Sequence, residues 1–373
     1  LRHVELVNEK DSLGTSFYFK INGKPIFMKG ANYIPQDHLQ SQVSNQDYLD
    51  LLLDAKNSNM NMLRIWGGGI YEQDIFYDIC DSLGILIWQD FMFACAMYPS
   101  DSLFLDNVRI EAIENVRRLN HHPSIVLWCG NNENSEGWQR WGWQDRYDYA
   151  QKKEIEKGYN QLFNNILPQV VSQYANTPYW ESSPSLGRGD PRHQWQGDAL
   201  YWGIWHDAEP FENFLKKVPR FMSEFGFQSF PSIETISTFC DTSEFDLNSA
   251  SMLSHQKHPR GNALILEYME REYPIPNSFE KLVYLSQIVQ SQGIRMGLEA
   301  HRYNQPYCMG TLYWQFNDCW PVASWSSRDY FGNWKALNYA VQQVFQPLAL
   351  SIVSKPNGLF DFWAVSEYEN ILK

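Results

Sequence analysis

The 373-residue sequence has few basic residues, and this shortage excludes one large class of partner. Lys and Arg number 30 against 43 Asp and Glu, so the formal net charge is −13 at pH 7. Proteins hold a phosphate backbone with clustered Lys and Arg, whereas an acidic chain without a basic patch repels it. We therefore expect no nucleic-acid partner.

Long apolar runs are also missing. The longest of them, residues 91–98, falls far short of the roughly 20 apolar residues that a helix needs to span a bilayer. We therefore expect no membrane insertion.

Cysteines are few, and no two of them form a Cys-x-x-Cys motif. Zinc sites and the disulfide frameworks of small secreted proteins have recognisable cysteine spacings, and neither is present. The sequence predicts buried thiols at Cys80, Cys95, Cys129, Cys240, Cys308 and Cys319.

No Asn-x-Ser/Thr sequon with a permitted middle residue occurs in the sequence. This absence favours a bacterial source, with the periplasm as the favoured compartment and the cytoplasm as the alternative. The chain starts at Leu1 without Met or a signal peptide and stops at Lys373 just after a strand-like stretch. We therefore expect a fragment of a longer protein.

Aromatic residues, by contrast, are abundant. They make up 16% of the chain, with 15 Trp and 21 Tyr, and each buried indole or phenol needs a hydrogen-bond partner. Most of these rings are expected to pack between helices and strands. Because flat apolar rings also stack on the C–H faces of pyranoses, the surplus indicates a sugar or aromatic ligand.

Short apolar strands alternate with amphipathic helices, after a hairpin at residues 17–27 that turns at Asn22-Gly23. Such alternation implies parallel strands joined by right-handed crossovers, and eight strands suit a closed barrel. Strands are predicted over 26–31, 62–66, 85–88, 125–130, 179–182, 201–205, 220–224 and 309–315, and helices over 46–58, 72–83, 103–120, 148–174 and 280–304. The predicted fold class is α/β, a (β/α)8 TIM barrel with short β-rich flanks from neighbouring sandwich domains.

The predicted domains follow from the same pattern. Residues 1–16 are expected to be the tail of a preceding β-sandwich or a linker, and residues 17–345 the barrel. Strand-like alternation returns after Pro347, so residues 346–373 are expected to begin a following β-sandwich.

Functional groups in such a barrel collect at the carboxyl ends of the strands, where few carboxylates of this chain lie. Glu133 follows the fourth strand and Glu224 ends the seventh. Asp90 and Glu181 end the third and fifth, and we expect them to be hydrogen-bonding supports. Two Asn and several Trp surround Glu133, which favours a protonated general acid, whereas a cation such as Arg64 would keep Glu224 ionised. Two such carboxyl groups about 5 to 5.5 Å apart suit a retaining glycosidase.

Three motifs resemble the catalytic domain of the family 2 glycoside hydrolases, and within it the β-mannosidases. Residues 21–32 (INGKPIFMKGAN) resemble the family's entry into the barrel, residues 122–133 (HPSIVLWCGNNE) its acid/base motif, and residues 221–229 (FMSEFGFQS) its nucleophile motif. The resemblance covers residues 15–340 almost continuously. It implies a retaining exo-acting β-mannosidase in which Glu133 is the acid/base and Glu224 the nucleophile.

The sugar preference rests on residues 64–69 (RIWGGG) and 71–72, which resemble the mannosidase branch rather than the galactosidase or glucuronidase branches. The resemblance implies that Trp66 lines the −1 subsite and that Asn132 holds the sugar 2-hydroxyl. The full set of substrate-binding candidates is Trp66, Asn132, Trp141, Trp314, Arg64 and His206. Trp141 and Trp314 are expected to form the sugar platform, and His206 to lie near a sugar-contacting aromatic residue.

The implied partners are an oligosaccharide with a terminal β-mannose and flanking β-sandwich domains of the same polypeptide. The resemblance implies that in the mannosidases an N-terminal sandwich domain contributes a sugar-binding acidic side chain, and we expect residues 1–373 not to include that domain. No cofactor or metal is expected, because residues 67–69 lack the spacing of a phosphate loop and the His pairs lack carboxylates at ligand spacing.

Alternatives remain at the level of residues and of function. Glu136, three residues after Glu133, is the rival acid, although the Asn that precedes Glu133 favours Glu133. An exo-β-glucosaminidase or an endo-β-mannosidase acting on glycans would share the barrel and both carboxylates. A catalytically silent carbohydrate-binding barrel is the non-enzymatic alternative, and the presence of both carboxylates argues against it.

Overall fold

A computed structural model describes residues 2–187, 189–354 and 358–368. Its strands in chain order are β1 Val4–Val7, β2 Lys10–Asp11, β3 Gly14–Thr15, β4 Tyr18–Ile21, β5 Lys24–Ile26, β6 Met28–Tyr33, β7 Met62–Ile65, β8 Leu86–Asp90, β9 Ile125–Cys129, β10 Tyr179–Trp180, β11 Ala199–Tyr201, β12 Met222–Phe225, β13 Gly310–Tyr313, β14 Leu348–Ser354 and β15 Phe360–Ser366.

The α-helices are α1 Asn45–Asn57, α2 Asp74–Leu83, α3 Ser102–Leu119, α4 Asn134–Arg140, α5 Tyr149–Tyr159, α6 Leu167–Tyr174, α7 Gly203–His206, α8 Ile233–Ile236, α9 Ala250–Ser254, α10 Gly261–Glu272, α11 Phe279–Tyr303 and α12 Ala336–Val344. A π-helical stretch, Asn160–Ile166, joins α5 to α6, so the predicted helix over 148–174 is nearly continuous. Short 3-10 turns lie at Gln40–Gln42, Trp143–Arg146, Pro191–Gln194, Phe211–Leu215 and Thr242–Glu244. Among the described residues no helix is long and apolar enough to cross a membrane.

Eight strands form one parallel sheet in the order β10-β9-β8-β7-β6-β13-β12-β11. Helices follow the strands and cover the outer face of the sheet, as the strand and helix alternation predicted. Strands β6 to β9 are almost entirely buried, which explains why they are continuous apolar runs rather than alternating ones. The predicted α/β (β/α)8 fold class is confirmed.

The sixth barrel strand is the one that the sequence misplaced. Residues 201–205 were expected to be a strand, but β11 ends at Tyr201 and α7 takes up the apolar residues that follow. Ile204 and Trp205 are fully buried from this short helix. A short apolar run has the same hydrophobicity whether it is a buried strand or a buried helix, so periodicity could not separate them.

Strands β10 and β11 are the two edges of the eight-stranded sheet, and a buried carboxylate, Asp198, joins them. Its Oδ1 accepts hydrogen bonds from the Trp180 indole at 2.9 Å and the Ser185 backbone N–H at 3.1 Å. Its Oδ2 accepts from the hydroxyls of Ser183 at 2.7 Å and Ser223 at 2.6 Å. We call this hydrogen-bonded join the Asp198 seam. The Asp198 seam links β10 to β11, between which the ladder of backbone hydrogen bonds is interrupted.

The lead-in hairpin closes the end of the barrel where the strands begin. Strand β4 pairs with β5 across the turn at Asn22-Gly23, and both turn residues have positive φ, as a type I′ turn requires. Phe17 packs edge-on against Phe221 and Trp180, with ring centroids 5.3 and 4.8 Å apart. Strand β1 pairs with β4 across the predicted boundary between residues 16 and 17. The domain limits stay a prediction.

Strands β14 and β15 form a separate antiparallel hairpin after the barrel. One of its faces contacts α11, where the Trp363 and Tyr303 rings stack with centroids 5.3 Å apart. The opposite face is exposed and apolar, and we call it the hairpin face: Leu348, Leu350, Ile352, Phe360 and Phe362. Strand patterning after Pro347 was predicted correctly, and the predicted positions 355–357 and 369–373 lie outside the described residues.

Candidate active site

A concave pocket opens at the carboxyl ends of the barrel strands, with a cavity of about 430 Å³. Its walls are Trp66, Cys95, Asn132, Glu133, Glu136, Trp141, Leu200, Trp202, His206, Glu224, His258, Trp314 and Trp325. Seven of the eight residues predicted for the site are therefore in one pocket, and Arg64 lies behind its wall.

Glu133 lies at the turn between β9 and α4 and has a left-handed backbone, with φ of 62°. Few residues other than glycine and asparagine adopt this conformation, and strained positions of this kind concentrate at functional sites. The Glu133 backbone N–H donates to the Ser183 carbonyl at 2.9 Å. Its Oε2 accepts from the Asn132 amide Nδ2 and the Cys95 thiol, each at 3.3 Å. These contacts fix the carboxyl group in the pocket wall.

Glu224 lies within β12, and its side chain is almost fully buried. Arg64, on β7, donates from Nη1 to Glu224 Oε1 at 2.6 Å. The contact joins two strands that are three positions apart in the sheet order, across the barrel interior. The predicted proximity of Arg64 to Glu224 is therefore observed.

The two carboxyl groups have different electrostatic surroundings. Burial, together with the neighbouring carboxyl groups of Glu224 and Glu136, raises the pKa of Glu133 to about 8. Burial also raises the pKa of Glu224, to about 7, while the Arg64 guanidinium acts in the opposite direction. Glu224 therefore loses its proton first, because it has a direct cationic partner and Glu133 does not.

Arg64 is fully buried and uses all five of its N–H donors on the protein. Nε and Nη2 bind Asp90 at 3.3 and 2.9 Å, and Nη2 also donates to Asn132 Oδ1 at 2.8 Å. Nη1 donates to Asn32 Oδ1 at 3.1 Å in addition to Glu224. Arg64 was predicted as a substrate-binding residue, but this geometry leaves it no N–H for a ligand and supports a positioning role instead.

Asn132 has its side-chain amide oriented by Arg64. Since a guanidinium only donates, the atom that it contacts at 2.8 Å is the amide oxygen. The Asn132 Nδ2 group therefore points toward Glu133 Oε2 and Cys95, on the pocket side. An amide donor held next to a carboxyl group suits recognition of a sugar hydroxyl.

Five of the thirteen residues that line the pocket are tryptophans. The Trp66 and Trp314 rings pack edge to face, with their centroids 5.1 Å apart. Both residues were predicted for the site, and both line the pocket. Trp141 is 43% exposed at the rim and contacts Trp143 at 5.5 Å. Large flat rings with some exposure suit stacking on a sugar better than rings sealed in a core.

Sequence reasoning missed several lining residues because they lie on loops, which have no periodic pattern. Trp325 belongs to the loop after β13, and its ring centroid lies 6.3 Å from that of Trp202. His258 precedes α10 and lies 5.9 Å from His206, measured between ring centroids. The stretch 202–206 did suggest a sugar-contacting aromatic residue, and Trp202 is the one that lines the pocket, whereas Trp205 is buried in the core.

The prediction of six buried thiols is wrong for two of them. Cys95 is exposed in the pocket wall and Cys319 is half-buried, while the other four are buried. Cys95 has a positive φ of 48° and follows a run of apolar residues that enter the core. The turn reverses the side-chain direction at this position, which a hydrophobicity pattern cannot show.

The supporting residues have the environments that their positions imply. Asp90 is fully buried and accepts from Arg64, from the Trp88 indole at 2.9 Å and from the Gly67 N–H at 3.0 Å. Glu136, the rival acid, also lines the pocket, one helical turn from Glu133. His122, expected to be structural, binds Asp81 through Nδ1 at 2.8 Å, a carboxylate contact that sequence spacing did not show.

The fold and pocket define a class of protein: a (β/α)8 barrel domain with a carboxylate pair in a tryptophan-lined pocket. No family model matches the chain. Sequence comparison finds β-mannosidase of Capra hircus, 41% identical over 372 residues, which covers 93% of this chain and 42% of that relative. β-Mannosidase B of Thermothelomyces thermophilus is 38% identical and is covered to 44% of its length.

Structure comparison agrees with the sequence comparison. A crystal structure of β-D-mannosidase from Dictyoglomus thermophilum matches with a TM-score of 0.91 and 42% identity, over 98% of this chain and 44% of that one. An exo-chitosanase from Amycolatopsis orientalis matches at 0.72 with 18% identity over 94% of this chain and 40% of that one, which shows the fold alone. These comparisons show that the chain is similar to part of the β-mannosidases over most of its own length. The chain spans less than half the length of the relatives that it matches.

Proposed function

We propose that this chain is the catalytic domain of a retaining exo-acting β-mannosidase, which removes terminal β-D-mannose residues from oligosaccharides. The observation that carries the proposal is the presence of Glu133 and Glu224 in one tryptophan-lined pocket, with a guanidinium bonded to only one of them. Similarity to β-mannosidases over most of the chain supports the choice of sugar.

In the first step, protonated Glu133 gives its proton to the glycosidic oxygen while the Glu224 carboxylate attacks the anomeric carbon. The bond to the leaving group breaks, and a covalent glycosyl ester forms on Glu224. Because Arg64 holds Oε1 of Glu224 at 2.6 Å, we assign the attack to Oε2. In the second step, ionised Glu133 takes a proton from water, which attacks the same carbon and releases mannose and Glu224.

The remaining pocket residues have binding roles in this proposal. Asn132, whose Nδ2 group is oriented by Arg64, would donate to the sugar 2-hydroxyl. Trp66 and Trp314 would enclose the mannose ring, and Trp141 and His206 would border the leaving group. Arg64 itself would act on the reaction through Glu224 and Asn132.

The test is intact-mass analysis after incubation with 2-deoxy-2-fluoro-β-mannosyl fluoride, followed by peptide mapping. The fluorine at C2 slows both steps and the fluoride leaving group lets the first proceed, so the intermediate accumulates. We expect one adduct, on Glu224, and none in a Glu224→Gln variant. Labelling by the gluco-configured reagent instead of the manno-configured one would overturn the sugar assignment, and labelling of another residue would overturn the nucleophile.

A further inference from the structure

A second cavity of about 690 Å³ adjoins the candidate active site. It is formed by the segment before α9, by α10 and by the start of α11. His258 lines both cavities, so they adjoin at this side chain. The centroid of the His258 ring lies 5.0 Å from that of Trp205 and 6.2 Å from that of Trp325. Trp325 lines the first pocket.

The lining of this second cavity combines an aromatic platform with amide groups. Phe245 and Phe279 stack with centroids 4.8 Å apart and planes 25° apart, and both rings are half-buried. Asn248, Asn262 and Asn277 add amide side chains to the same wall. A flat apolar ring beside amide donors and acceptors matches a pyranose, which has apolar C–H faces and an equator of hydroxyls.

The charge of this lining favours a neutral ligand. Among the described residues that line it, only Asp246 and His258 carry ionisable side chains. A site for a phosphate, a sulfate or a cationic sugar would offer a cluster of opposite charge to neutralise it.

We propose that this second cavity binds the sugar residues on the leaving-group side of the scissile bond, in neutral oligosaccharides longer than two residues. The inference rests on the proposed function. With the terminal mannose at Glu133 and Glu224, the rest of the substrate leaves through the mouth of the first pocket. His258 lines both the first pocket and the second cavity, so a substrate that extends past His258 would enter the second cavity.

The experiment measures kcat/KM of the purified protein for mannobiose, mannotriose, mannotetraose and an aryl β-mannoside. We expect kcat/KM to rise by about tenfold between mannobiose and the longer substrates, the factor that about 1.4 kcal/mol of added binding supplies. The aryl β-mannoside, which is too short to reach the second cavity, reports on the first pocket alone.

Two variants locate the effect in the second cavity. Asn277→Trp fills it from an exposed position and should remove the gain for longer substrates while leaving the aryl β-mannoside within twofold. Phe279→Leu keeps apolar volume but loses the stacked ring. It should reduce the rise in kcat/KM between mannobiose and the longer substrates by about fivefold. Glu272→Trp is the matched control, because Glu272 is exposed and does not line the cavity, and it should change nothing.

Each result decides the question. Equal kcat/KM for all three oligosaccharides, or an equal loss for long and short substrates in Asn277→Trp, would overturn this inference while the proposed function stands. Absence of turnover of the aryl β-mannoside would overturn the proposed function, and the inference with it.

Discussion

Glu133 shows how much a single backbone angle contributes to the site. Its left-handed conformation lies directly before α4, where the chain turns from β9 into that helix and the Glu133 side chain lines the pocket. The sequence predicted the residue from its neighbours, two Asn and nearby Trp. It could not predict the conformation, because non-glycine residues with positive φ are uncommon and depend on tertiary contacts.

The proposed role of Glu133 as general acid can be tested by replacing its carboxyl group with an amide, which has no proton to give. We expect Glu133→Gln to lower kcat/KM for a β-mannoside with a poor leaving group by about 10² to 10⁴-fold, because the leaving oxygen is no longer protonated. A substrate whose leaving group needs no proton, such as a mannosyl fluoride, should lose much less in the first step. Steady-state and pre-steady-state rates with both substrates provide the measurement.

Glu136→Gln is the control for that experiment. Glu136 lines the same pocket, one helical turn away, and it is the rival acid. We expect its change to alter kcat/KM by less than about tenfold and to depend little on the leaving group. If the leaving-group dependence appeared in Glu136→Gln and not in Glu133→Gln, the assignment of the acid would be reversed.

The two raised pKa values predict a narrow pH optimum. In the proposed mechanism, activity needs Glu224 ionised and Glu133 protonated. As pH falls below about 7, Glu224 gains a proton, and as pH rises above about 8, Glu133 loses one, so kcat/KM falls on both sides. The apparent values belong to the pair, since each carboxyl group senses the other. A pH profile that stayed flat from 5 to 9 would contradict this arrangement.

Arg64 should control the acid side of that profile. Arg64→Lys keeps a positive charge but cannot reach Glu224, Asp90, Asn32 and Asn132 together, because an ammonium group lacks the guanidinium fork. The pKa of Glu224 should therefore rise, and the acid limb of kcat/KM should move to higher pH with a fall in kcat of about tenfold or more. If Arg64 acted only by positioning Asp90, Arg64→Lys would lower kcat without moving the acid limb of the kcat/KM profile. Arg118→Lys, at a partly exposed ion pair on α3, is the matched control.

At the scale of the elements, the Asp198 carboxylate bridges β10 and β11, the two edges of the eight-stranded sheet. Asp198 is fully buried and accepts hydrogen bonds from Trp180, Ser183, Ser185 and Ser223. Asp198→Ala would leave these donors without the carboxylate, and each unpaired buried donor costs about 1–3 kcal/mol. We expect a loss of about 3 kcal/mol or more in the free energy of unfolding, measured by urea denaturation.

Asp106→Asn provides the comparison for the Asp198 seam, because Asp106 is exposed on α3 and should change the free energy of unfolding by less than about 0.5 kcal/mol. If Asp198→Ala changed the free energy of unfolding as little as Asp106→Asn, the edges of the sheet would be stabilised by packing alone.

The elements that the sequence predicted well are those with a strong local signal. Helices α1, α3 and α11 fall within one residue of their predicted limits, because an apolar stripe and a capping side chain such as Ser44, Asp101 or Ser278 define them. Strands β7 to β9 were found for a similar reason, as buried apolar runs. Strand β11 and the loop that carries Trp325 were not, since their conformations come from contacts far apart in the chain.

At the scale of the whole molecule, two surface properties oppose each other. The net charge of −13 keeps copies apart in dilute solution. The hairpin face presents five apolar side chains, among them Phe362, which is 77% exposed, and Leu350, which is 73% exposed. Exposed apolar patches drive association, so we expect self-association that grows with protein and salt concentration.

Sedimentation velocity of the 373-residue chain tests that expectation. The double change Leu350→Ser and Phe362→Ser should lower the fraction of oligomers, because it removes apolar area without changing charge. Tyr284→Ser removes an isolated exposed ring on α11 and should have no effect. Equal association of all three proteins would place the contact elsewhere.

The sequence also predicted the candidate site at this scale better than it predicted the source. Glu133, Glu224 and the three tryptophans predicted to bind substrate line one pocket, because the barrel topology brings the ends of distant strands together. The separation of the two carboxyl groups stays a prediction. So does a bacterial source, since the similar proteins include animal and fungal enzymes as well as a bacterial one.

Arg64 also limits how this pocket can change over evolutionary time. Its donors are divided among Asn32, Asp90, Asn132 and Glu224. A substitution at either Asn would leave a buried N–H of Arg64 without its acceptor, and a substitution at Asp90 or Glu224 would also remove one of the two carboxylates that balance its charge. The effects of such substitutions should be strongly epistatic, and most single-step mutational paths through them should pass through inactive or unfolded intermediates. New substrate preferences in this lineage would therefore arise more readily at the tryptophan rim than beneath it.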